Sequence, residues 1–78
     1  MDVVTNWKDA IALYRLVRGR PGALTPEERR TMVEAQGKLE GRCCGAPSLL
    51  SKAQLADVLA IGNKALAYAK AHGMPIPR

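Results

Sequence analysis

"SKAQLADVLAIGNKALAYAKAHG", residues 51–73, decides the fold. Ser51 is placed to cap a helix, and Gln54 at the third helical position completes a capping box. Leu50 and Leu55 flank that start as a hydrophobic staple. Gly73 supplies a left-handed stop, and Pro75 forbids continuation. A helix over 52–72 follows, on the order of 30 Å long at ~1.5 Å per residue. Its apolar positions fall into three sectors. Leu55, Val58, Leu59, Gly62, Ala65, Leu66 and Ala69 form one stripe, and Ile61 and Tyr68 make an adjoining strip. Ala53, Ala56, Ala60 and Ala67 spread over a third. A helix with this much apolar circumference needs more cover than one neighbour supplies, and its small residues let another backbone approach closely.

Upstream, "TPEE" at 25–28 is the clearest helix start in the chain. Thr25 is the N-cap, Pro26 fits the first helical position and Glu28 closes a second capping box. Glu27 and Glu28 also favour the positive end of the helix dipole. The helix over 26–40 has a narrow stripe of Met32, Ala35 and Leu39, with Val33 to one side. Glu34 and Lys38 make an i,i+4 pair on the wet side. Gly37 costs about 1 kcal/mol inside a helix, which predicts a close neighbour there. Gly41 is the expected cap.

A first helix is predicted over 6–18, capped by Thr5 or Asn6 and stopped by Gly19. Trp7, Ala10, Ile11, Leu13, Tyr14 and Val17 share its apolar face, and Leu16 lies off it. "RGRPGAL" then breaks the pattern. Without alternating strand patterns or internal repeats, the chain reads as an all-α, three-helix domain over 1–73 with its longest helix last. Residues 74–78 form an extended tail. At 78 residues the core is small, and oligomerisation is a usual reinforcement at this size. A dimer is therefore one way to cover the surplus apolar face.

Composition narrows the function classes. The net charge is +5 and there is no phenylalanine. No apolar run nears the ~20 residues that cross a bilayer, and "MDVVTNW" is acidic where a secretory signal is basic. A soluble, cytoplasmic protein without membrane contact is expected, with reduced thiols. Cys43 and Cys44 are adjacent, which fits neither zinc-ligand spacing nor the Cys-x-x-Cys redox motif. They read as small apolar residues under the joint between the second and third helices. His72, the only histidine, suits a helix C-terminus better than catalysis, which needs a partner that the sequence does not nominate. No phosphate-binding or nucleophile motif is present. No enzyme activity, metal or cofactor is expected.

What remains is binding. The expected docking surface is Leu16, Ala60, Ile61, Ala67 and Tyr68, covering another protein or a second copy of the chain. Arg15, Arg18 and Arg20, with Arg29 and Arg30, would steer encounter with an acidic surface. A small regulator, adaptor or inhibitor fits this reading, and the alanine-, arginine- and glycine-rich composition suggests a bacterial or phage source. The alternative is nonspecific phosphate contact through the same arginines. Against it, both interhelical joints are longer than a helix-turn-helix turn, and only three aromatic residues, Trp7, Tyr14 and Tyr68, are available for stacking on bases.

Overall fold

The computed structural model describes residues 2–40 and 50–76. Three helices form: α1 (Trp7–Val17), α2 (Pro26–Glu40) and α3 (Lys52–Ala71). Each expected boundary holds to within a residue. The radius of gyration is 12.1 Å, close to the roughly 11–12 Å of a folded chain of this length. The positions of Cys43 and Cys44, and the cap expected at Gly41, lie outside the described residues.

Local chemistry sets the ends. The Asn6 side chain accepts from the Asp9 backbone N–H at 2.9 Å and donates back to the Asp9 carboxylate at 2.9 Å. Both capping boxes form. Glu28 N–H donates to Thr25 Oγ1 at 3.1 Å while Thr25 N–H donates to Glu28 Oε1 at 2.9 Å. Gln54 N–H donates to Ser51 Oγ at 3.1 Å, and Ser51 N–H to Gln54 Oε1 at 3.0 Å. At the far end of α3, Met74 N–H reaches Ala69 O at 2.9 Å and Gly73 N–H reaches Lys70 O at 3.3 Å, with Gly73 at φ +63°. That is a Schellman stop. The joint between α1 and α2 differs from expectation: its left-handed residue is Gly22, at φ +83°, not Gly19. Gly22 leads into Ala23 and Leu24, which are buried and tie the joint to the core.

The core is built chiefly between α1 and α3, with α2 touching each of them far less. Leu13, Val17, Met32 and Val58 are its largest fully sealed side chains. The helices cross where Ala10 meets Gly62. A Cβ added at Gly62 would sit 2.7 Å from Ala10 Cβ and 2.9 Å from Ala10 Cα. The close approach foreseen for Gly37 therefore belongs to Gly62; around Gly37 nothing among the described residues lies within 4 Å of an added Cβ.

An extended N-terminal segment completes the cover of α3. Asn63 holds Val4 by its main chain: Val4 N–H donates to Asn63 Oδ1 at 2.8 Å, and Asn63 Nδ2 donates to Val4 O at 3.3 Å. Asn63 Nδ2 also donates to Leu59 O at 2.9 Å. The Val4 side chain is buried beside Gly62, and Asp2 lies 3.8 Å from Lys70. Part of the surplus apolar face of α3 is thus covered by the chain's own first residues.

Candidate functional site

Between α2 and α3 runs an open groove made of two adjoining hollows that share Thr31 and Asp57. The larger, about 300 Å³, is lined by Glu27, Glu28, Thr31, Asp57, Ala60 and Ile61. The smaller, about 180 Å³, adds Glu34, Ala35, Leu50, Gln54 and Val58. The helical repeat explains the lining. Glu27, Thr31 and Glu34 recur at i, i+4 and i+7 on one face of α2, and Gln54, Asp57 and Ile61 at i, i+3 and i+7 on one face of α3. Ala35, Val58 and Ile61 belong to the buried core and close the base of the hollows, with carboxylates on both walls.

One carboxylate already has a cation. Lys64 Nζ donates to Glu28 Oε1 at 2.6 Å across the two helices. This bond, followed by the one from the Thr25 backbone N–H, holds the Glu28 carboxyl below its ordinary value. Glu27, Glu34 and Asp57 have no cationic partner among the described residues. Those residues also include no group of three or more His, Cys, Asp or Glu placed to hold a metal ion. The groove's negative charge is spread along its walls, not gathered at a point.

The residues expected to dock a partner differ in their exposure. Ile61 is 7% exposed, belongs to the core cluster and also lines the larger hollow. It sits at the edge of the buried stripe, where the approach of α2 closes over it. Tyr68 and Leu16 are half-buried and pack against the core. The Tyr68 ring also stacks on His72, with centroids 4.1 Å apart. Ala60 and Ala67 are exposed, and of the two only Ala60 lines the groove. Leu55, assigned to the main stripe, is 36% exposed. With 11 residues against 20, α1 is only about half the length of α3 and leaves part of it uncovered.

Among the arginines, Arg18, Arg20, Arg29 and Arg30 are exposed around the α1–α2 joint. Arg15 is engaged differently. With the Gln36 carboxamide oxygen turned toward it, Arg15 donates from Nη2 at 2.5 Å and from Nε at 3.2 Å. Gln36 is a buried polar residue, and this fork links α1 to α2.

Sequence reasoning missed Asn63, Gln36 and the acidic groove. The groove had a readable signal in the i, i+4, i+7 spacing of Glu27, Thr31 and Glu34. Compared with family models, curated proteins and solved structures, the chain matches none, so a functional reading rests on its own geometry. No described helix is long and apolar enough to cross a membrane.

Proposed function

We propose that this chain is a non-catalytic protein-binding module, a regulator or adaptor, that docks its partner in the groove between α2 and α3. The observation that carries the reading is the groove itself: two adjoining hollows left open between the polar walls of α2 and α3 and closed at their base by the buried Ala35, Val58 and Ile61. Such grooves take side chains from a partner segment and exclude water as they do so. Of the docking residues named from sequence, Ala60 is the one placed on the groove wall. Ala67, Leu16 and Tyr68 stand outside the lining. Arg18 and Arg20 are exposed and lie outside the groove lining.

A photo-crosslinking residue at Ala60 tests this, with one at exposed Val3 as control. Adducts formed in host extract at Ala60 and not at Val3, and lost in a Thr31→Arg variant that still folds, are the expected outcome. Equal adducts at both positions would remove the groove from consideration.

The exposed Arg18, Arg20, Arg29 and Arg30 support a second reading, nonspecific phosphate contact. Binding to random-sequence DNA at low salt, falling steeply as salt rises, would favour it. Absence of binding at low salt excludes it.

A further inference from the structure

We infer that the occupant of the α2–α3 groove is a cationic segment of a partner protein, presenting Lys or Arg side chains to the carboxylates of its walls. The inference rests on the groove being the docking surface proposed above and adds the chemistry of what it takes. The chain carries a net charge of +5 with only seven acidic residues, yet Glu27, Glu28, Glu34 and Asp57 all line this one groove. Glu27 and Glu34 are seven residues apart on α2, about 10 Å along its axis, and Asp57 faces them from α3. That spacing suits two or three separate cationic side chains; a single bound ion would need converging ligands, and no such group occurs among the described residues.

The molecule already contains one example of the contact. Lys64 lays its ammonium on Glu28 at 2.6 Å across the same two helices. Glu27, Glu34 and Asp57 are left without a cation among the described residues. Ala60 and the half-buried Leu50 are accessible apolar groups of the lining, and the methylenes of a long cationic side chain can lie on them while its head reaches the carboxylates. Phosphate is a poor occupant, since the walls would repel it.

Short peptides that differ only at their charged positions, carrying Arg, Gln or Glu on a common Leu/Ala background, test the inference. Each is titrated into the full-length, isotope-labelled protein, with backbone amide shifts as the readout. The Arg peptide is expected to move the Thr31, Asp57 and Ala60 amides saturably, and more weakly as salt rises. In a Glu27→Gln, Glu34→Gln, Asp57→Asn variant that keeps its helical spectrum, its affinity should fall about tenfold or more. If the Gln peptide binds the groove as well as the Arg peptide, the groove is a docking site but the cationic partner is wrong. If no peptide moves the groove amides, both readings fail. Light scattering that shows a dimer of this chain broken by the same triple variant would make the occupant a second copy and overturn the inference.

Discussion

Replacing Gly62 by alanine should destabilise the fold, although alanine is the better helix former. On propensity alone the change is favourable by roughly 1 kcal/mol. The new methyl, however, would lie 2.7 Å from Ala10 Cβ, 2.9 Å from Ala10 Cα and 3.1 Å from Val4 Cγ1. Carbon pairs prefer about 3.5–4.0 Å, so the first contact is short by roughly 1 Å. Neither Ala10 atom can rotate away, which leaves α1 to move as a body and loosen the seat of Val4. Overpacking of this kind costs roughly 1–3 kcal/mol, and a clash with backbone belongs at the upper end. The expected net loss is about 1–2 kcal/mol.

Gly37→Ala is the control. It offers the same propensity gain inside α2, with nothing among the described residues within 4 Å of the new methyl. It should stabilise by about 0.5–1 kcal/mol. Thermal and urea unfolding followed by circular dichroism would then separate the two variants by roughly 10 °C, at about 4–8 °C per kcal/mol for a domain of this size. Adding Ala10→Gly to Gly62→Ala should recover part of the loss, giving a favourable coupling in the double-mutant cycle. A Gly62→Ala protein as stable as Gly37→Ala would refute the close crossing of α1 and α3.

Asn63→Ala removes both hydrogen bonds to Val4, and should cost about 1–3 kcal/mol because the Val4 main chain is left under-bonded in a buried site. Amide hydrogen exchange should show Val4 losing protection ahead of the α3 core, and unchanged exchange at Val4 would contradict the clamp. For Glu28 the folded carboxyl lies below its ordinary value of 4.5, so its stabilising contribution is fully present above that value and is lost as pH falls through the folded one. Lys64 is about half exposed, which keeps the pair to about 0–1 kcal/mol. Glu28→Gln preserves a capping-box residue and removes the charge. Wild type should therefore exceed it in stability at neutral pH and converge on it in acid, and parallel curves would show that the ion pair contributes nothing.

Helix ends were legible because caps are local. Thr25 with Glu28, and Ser51 with Gln54, are three residues apart, and the same side chain–backbone geometry forms whatever the rest of the chain does. Contacts that join distant segments were not legible. Nothing near Asn63 in the sequence announces that its carboxamide will hold Val4, 59 residues away. A helical wheel placed Gly62 on the inner stripe and showed that some backbone could come close, but not that α1 of the same chain would be the one to do so. Ile61 illustrates the limit most clearly. Its angle on the wheel put it at the margin of the core face, and only the position of α2 decides whether a marginal residue is sealed or left open.

The groove follows from the composition of α2. From Pro26 to Thr31 the helix offers no large apolar side chain, and none of those residues is buried. Met32 and Ala35 are its first sealed apolar positions. Its opening turns therefore meet α3 through charge, at Lys64 and Glu28, and an ion pair spans a gap where interdigitated side chains would close it. The hollow is larger beside those turns, about 300 Å³, and smaller alongside Ala35, about 180 Å³. Further along α2, Gln36 takes the fork of Arg15, so the helix is tied to both of its neighbours by polar contacts as well as by its thin apolar stripe. Large apolar residues in place of Glu27 or Thr31 would draw the two helices together and strengthen the core, at the expense of the open, negatively charged channel. The same residues that make α2 a weakly packed helix are the ones that leave its inner edge open and acidic.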